Sequence, residues 1–166
     1  MDQAQQEYSA SEVRKLLQKL FPHRRLVLSQ FTYYNQCGVA KPLGSTYRRG
    51  RRCYRLMDIL PIACVLALKE EGIPLKNIET LPPLIHDNLE RIFALGPNTR
   101  LHGYGDSIIL LFPNQDASNI PLENFLAENQ SPSLFWSFDL GLLARQLQAL
   151  SVESLEFRRD RSAAAA

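Results

Sequence analysis

Glycine and proline punctuate the first hundred residues so closely that no regular element there can run much past about four helical turns. Pro22, Gly38, Gly50, Gly72, Pro74, Pro82-Pro83 and Gly96-Pro97 each close a run of helical or alternating residues. Such a chain is restricted to short helices and hairpins packed into small units. At 166 residues it forms one domain or two small ones, and it is long enough to bury a core without disulfides. Hydrophobic residues make up 45% and charged residues 22%, a globular balance that argues against a disordered chain.

Between these breakers the pattern resolves segment by segment. Ser9 as N-cap places Glu12 at N3, the capping-box spacing, and Val13, Leu16, Leu17 and Leu20 follow at helical intervals until Pro22. His23-Arg24-Arg25 reads as an exposed basic turn, and Leu26 to Asn35 as a second helix with Gly38 suited to its C-terminal cap. Two short helices joined by a turn make a helix-turn-helix candidate. Residues 43–55 alternate Thr, Tyr and Cys with arginine around Gly50, which predicts a tight hairpin with Arg48, Arg49, Arg51 and Arg52 at its tip. Asp58 is the expected N-cap of a helix to Glu71, with Pro61 in the first turn and Ile59, Ile62, Ala63 and Leu66 as its buried stripe. A short helix from Pro74, carrying Leu75, Ile78 and Leu81, is expected to stop at Pro82-Pro83.

The remaining half reads as a mixed α+β pattern. Leu84 to Leu95 is amphipathic through Ile85, Leu89, Ile92 and Phe93. Strands are expected at 100–104 and 107–112 around Gly105-Asp106, at 133–138 and at 152–157; helices at 122–128 and 140–150. His102 and Asp106 bracket a glycine-rich stretch that reads better as a hairpin turn than as a ligand loop.

Charge is distributed unevenly. Residues 1–80 hold 13 Lys/Arg against seven Asp/Glu, while residues 81–166 hold six against ten. No acid occurs between Glu12 and Asp58, whereas eleven Lys/Arg do. Four like charges at one hairpin tip repel each other, and a phosphate backbone relieves that repulsion directly. A polyanion, above all nucleic acid, is the partner this pattern implies.

Other classes find little support. The longest apolar run, Ile59 to Leu68, is too short for a bilayer, and no leader sequence is expected, so the chain is assigned to the cytoplasm without a membrane partner. Cys37, Cys53 and Cys64 lack metal-ligand spacing and read as free thiols; no metal or other cofactor is expected. No Ser-His-Asp set, carboxylate pair or phosphate loop stands out, so the chain is expected not to be an enzyme.

The Tyr33-Tyr34 pair, Gly38, Pro42, the basic Gly50-Arg51-Arg52-Cys53-Tyr54, Asp58, the Leu68 to Gly72 helix end and Leu75 to Ile78 occur in an order and spacing that resemble the DNA-binding half of the MerR family of bacterial transcription regulators. The resemblance covers about half the chain. It departs from the family pattern in three places: Thr32 stands where an arginine usually precedes the tyrosine pair, the segment around Gln18 to Arg25 is longer, and Gly96-Pro97 interrupts what would be a long dimerisation helix.

The chain is expected to be α+β: the resemblance implies a winged helix-turn-helix domain at 1–82, and the mixed pattern beyond it reads as a small α+β domain at 83–162 with an unstructured tail at 163–166. The second helix would enter the major groove of double-stranded DNA, with Ser29, Gln30 and Thr32 facing bases. Arg48, Arg49, Arg51 and Arg52 would follow the phosphates, with Arg24, Arg25 and Lys41 as further basic contacts and Tyr33, Tyr34 and Tyr54 as candidate hydroxyl donors. One tyrosine of the adjacent pair is expected in the core and the other at the surface. A homodimer would present two such heads to a near-palindromic site in the nucleoid. RNA polymerase and a small effector are further candidate partners. The C-terminal half would dimerise, through sheet edges or Leu84 to Leu95, or bind the effector near Phe112, Phe135, Trp136 and Phe138. The alternative is a protein-interaction adaptor that keeps the winged-helix fold without sequence-specific DNA binding.

Overall fold

A three-residue strand, β1 (Glu7–Ser9), opens the described part of the chain and delivers Ser9 to the start of α1 (Ala10–Leu20). The computed structural model describes residues 7–39, 47–48, 51–73, 80–96, 98–104, 107–113 and 135–163. The elements that follow are α2 (Leu28–Gln36), β2 (Tyr47–Arg48), β3 (Arg51–Arg55), α3 (Leu56–Glu70), α4 (Leu81–Leu95), β4 (Arg100–Tyr104), β5 (Ser107–Leu111), β6 (Phe135–Asp139) and α5 (Leu140–Ala163). The architecture is therefore α+β, with two small antiparallel sheets among the described residues. The chain forms two compact units, residues 1–62 with 145–166, and residues 63–144. Both dividing lines fall inside helices, α3 and α5. No helix among the described residues is long and apolar enough to cross a membrane.

In the first unit, the capping box forms as its spacing predicts. Glu12 Oε2 accepts from Ser9 N at 2.8 Å, and Glu12 N donates to Ser9 Oγ at 3.4 Å. Satisfying these orphan amides contributes about 1 kcal/mol. Val13, Leu16 and Leu17 turn inward. Strand β1, absent from the sequence expectation, pairs antiparallel with β3, placing Tyr8 opposite Tyr54; both rings are buried. The sheet order is β1-β3-β2, with Tyr47 opposite Arg52 and Arg48 opposite Arg51. The expected hairpin thus exists, although Arg49 and Gly50 lie outside the described residues.

Helix α3 starts three residues earlier than an N-cap at Asp58 implies, which changes the roles of two residues. Asp58 is not the N-cap; it sits in the first turn and its Oδ2 accepts from Arg55 N at 2.8 Å. A carboxylate at this offset reaches back to the cap amide, as Glu12 does at α1. Pro61 consequently lies in the second turn, where its missing N–H removes one bond to the carbonyl of Met57. The helix is buried well beyond one stripe, from Ile59 through Leu68. It ends as predicted at Gly72, whose φ of 79° suits glycine. Ile73 N donates to Leu68 O at 3.0 Å and Gly72 N to Lys69 O at 3.2 Å, the paired bonds of a Schellman end. Residues 74–79 of the expected short helix lie outside the described residues, while Thr80 and Leu81 form the N-cap and first residue of α4.

In the second unit, Pro82 and Pro83 begin α4 instead of stopping a preceding helix. First-turn amides have no intrahelical acceptor, so a proline pair is tolerated there. Strands β5, β4 and β6 form the second sheet in that order. Gly103 faces Trp136 across it, and the indole covers the glycine so closely that any Cβ there would overlap the ring. Asp139 caps α5 by accepting from Leu142 N at 2.7 Å, and Gly141 N donates to Thr99 O at 2.9 Å. Residues 152–157, expected to be a strand, continue this helix. No glycine or proline interrupts α5 after Gly141, and Ser151 satisfies its hydroxyl on Gln148 O at 2.8 Å without leaving helical geometry. The expected 122–128 helix lies outside the described residues.

Candidate nucleic-acid interface

Helix α2 has two distinct sides. Successive residues step by about 100° around a helix, so Leu28, Ser29, Thr32, Tyr33 and Gln36 share one side, all of them exposed. Phe31 and Tyr34 occupy the opposite side and are buried. The adjacent tyrosines therefore separate: Tyr33 is 51% exposed and Tyr34 only 3%. Their rings still meet at a tilt, with centroids 6.0 Å apart. Gly38 closes the helix end at φ 74°.

The turn that leads into α2 is held by a residue the sequence did not mark. Gln18 Nε2 donates to Arg24 O at 2.6 Å, Phe21 O at 3.2 Å and Pro22 O at 3.4 Å. Its Oε1 accepts from Leu26 N at 3.4 Å. One amide thus ties together carbonyls of the turn that follows α1. Arg24 and Arg25 ride on this turn, the first half-buried and the second exposed.

A second unmarked residue joins α2 to the sheet. Asn35 Nδ2 donates to the Tyr54 hydroxyl at 3.0 Å. The link fixes the helix relative to β3, the strand that carries Arg51 and Arg52. Neither Gln18 nor Asn35 has a sequence signal, because each acts on a partner chosen by the fold.

Three expected surface residues change position. Tyr34 and Tyr54 lie in the core, Tyr54 at 2% exposure, so burial removes both from the set of surface hydroxyl donors. Gln30 is half-buried and its Oε1 accepts from Val27 N at 3.2 Å, so it caps α2 instead of facing outward. Ser29, Thr32, Tyr33 and Arg25 are exposed as expected. Arg48, Arg51 and Arg52 are placed by backbone on β2 and β3, while Lys41 and Arg49 lie outside the described residues.

Electrostatics keep the tyrosines neutral. A hydrogen bond with the Cys37 side chain, then Coulombic interaction with that thiol, raises the pKa of Tyr33. Burial raises that of Tyr34, partly offset by the Arg24 guanidinium. Tyr33 is thus available as a neutral hydroxyl on an exposed helix face. Helix α2 itself carries no charged residue; Arg24 and Arg25 precede it in the chain and the arginines of the hairpin follow it. Among the described residues no cluster of His, Cys, Asp or Glu is arranged to hold a metal ion, and all three cysteines are free thiols.

No protein-family model matches the chain, and no curated protein matches it.

Proposed function

We propose that residues 1–82 form a winged helix-turn-helix domain that binds duplex DNA, in a dimeric transcription regulator of MerR type. One observation carries the reading: an exposed, uncharged helix face lies, along the chain, between two arginine-bearing segments, the 21–27 turn and the β2-β3 hairpin. In this reading α2 is the groove helix and the hairpin is the wing. The eleven cations without an acid between Glu12 and Asp58 supply the sequence-independent attraction to phosphate. Gln18 and Asn35 supply rigidity, since one sets the turn and the other ties helix to wing. Rigid placement matters because phosphate contacts set the register in which a helix meets base edges.

Binding of random-sequence duplex at two salt concentrations tests this reading. Tight binding that weakens steeply with salt is expected. Arg52→Ala should weaken all sequences alike and flatten the slope of log affinity against log salt by about one unit. An unchanged slope would remove Arg52 from the interface.

Val27 and Leu28 favour a second reading, a protein-binding adaptor, because both are apolar and exposed at the start of α2. In that case the protein would bind no duplex even at low salt.

A further inference from the structure

We infer that the exposed face of α2 reads A·T base pairs through thymine methyl groups in the major groove, and does not read guanine. The inference rests on the duplex-DNA reading above and names the class of sequence that site would take. Guanine offers two acceptors in the major groove, O6 and N7, and its characteristic partners are arginine and lysine. Helix α2, with the sequence LSQFTYYNQ, has neither. Thymine offers a C5 methyl group, met by apolar atoms, and adenine offers the N6 donor and N7 acceptor that a glutamine amide can match.

The face carries those groups in a row. Leu28 is 49% exposed, Thr32 lies one turn further on, and Gln36 one turn beyond that. At about 1.5 Å rise per residue the row spans roughly 12 Å, the length of three to four base-pair steps. An isobutyl group left in water is unfavourable, and a thymine methyl is an apolar surface that can cover it. The helix contributes no cation of its own to this face. Arg25 is exposed on the preceding turn, and Arg48, Arg51 and Arg52 belong to the hairpin. A neutral, partly apolar helix face within an otherwise basic stretch of chain suits a polyanion whose groove floor presents apolar groups.

The test is a competition experiment with the full chain and four duplexes of equal length. One is A·T-rich, one is G·C-rich, one replaces every thymine of the first by uracil, and one replaces each A·T pair by inosine·cytosine. Uracil removes only the methyl group. Inosine·cytosine keeps an A·T-like minor groove but shows a guanine-like edge in the major groove. The A·T duplex should bind roughly tenfold or more tightly than the G·C and inosine duplexes, the discrimination of one good base contact. Uracil should weaken binding by roughly fourfold for each methyl contacted. Leu28→Ala should weaken binding to the A·T duplex and shrink the uracil penalty. Equal affinity for uracil and thymine duplexes, or for inosine and A·T duplexes, would overturn the inference. Salt-sensitive binding of all four alike would overturn it while leaving the DNA-binding reading intact. Binding of none at low salt would overturn both.

Discussion

Replacing Gln18 by methionine should loosen the turn between α1 and α2 while leaving side-chain volume nearly unchanged. The two hydrogens on Nε2 serve three carbonyls, so at most two strong bonds exist; the 2.6 Å bond to Arg24 O and the 3.2 Å bond to Phe21 O are the best candidates. The 3.4 Å contacts to Pro22 O and from Leu26 N add little. Two net bonds at about 1 kcal/mol each give an upper figure of about 2 kcal/mol. The Pro22 contact is exposed, and carbonyls freed near the surface recover bonds to water, so a loss of about 1–2 kcal/mol is expected. Urea unfolding followed by far-UV circular dichroism measures it. Amide exchange at Leu26 should also speed up, because the amide loses its acceptor. Gln18→Glu should cost more than Gln18→Met, since a carboxylate would face three carbonyl oxygens. The reasoning fails if the methionine variant unfolds within about 0.3 kcal/mol of the parent, or if glutamate is tolerated better than methionine.

Gly103→Ala should destabilise the second sheet by about 1–3 kcal/mol, because the new methyl would occupy the space of the Trp136 indole. The chain has a single tryptophan, so a change in fluorescence together with a lower Tm reports this directly. Tyr54→Phe should cost about 1–2 kcal/mol by stranding the Asn35 amide, whose Oδ1 already lacks a partner among the described residues, and double-mutant analysis with Asn35→Ala should recover a coupling term. Alkaline titration should expose Cys64: burial holds its thiol pKa above the ordinary 9.0. Above about pH 9 the unfolded chain releases that proton and the folded chain keeps it, so stability is full below that pH and declines as pH rises. Cys64→Ala should flatten the decline between about pH 9 and 10, and an unaltered slope would refute the assignment.

Helix ends were the most legible part of this protein. Ser9 with Glu12, Gly38 and Gly72 act through bonds within one or two turns, so their spacing alone predicts the geometry that forms. The β2-β3 hairpin and the strands around Gly105-Asp106 were legible for a similar reason, since partner and turn lie together in sequence. Helix starts at α3 and α4 were misplaced, because Asp58 can cap from the first turn as well as from the N-cap, and a proline pair fits a helix beginning as readily as an end. Strand β1 was invisible: three residues carry no period, and their partner β3 is far along the chain. The tail helix runs through the strand expected at 152–157 because no glycine or proline interrupts it after Gly141.

The candidate interface divides in the same way. The sequence by itself determined its composition: an acid-free basic stretch, an uncharged helix within it, and two adjacent tyrosines that a helix must point in different directions. Only the tertiary structure decided that Tyr34 goes inward and Tyr33 outward, that Tyr54 receives Asn35 in the core, and that Gln18 holds the turn bearing Arg24 and Arg25. Angular separation on a helix is a local property of the backbone. Which side meets the core depends on residues brought from elsewhere in the chain, and that burial is what turns one tyrosine into packing and leaves the other exposed.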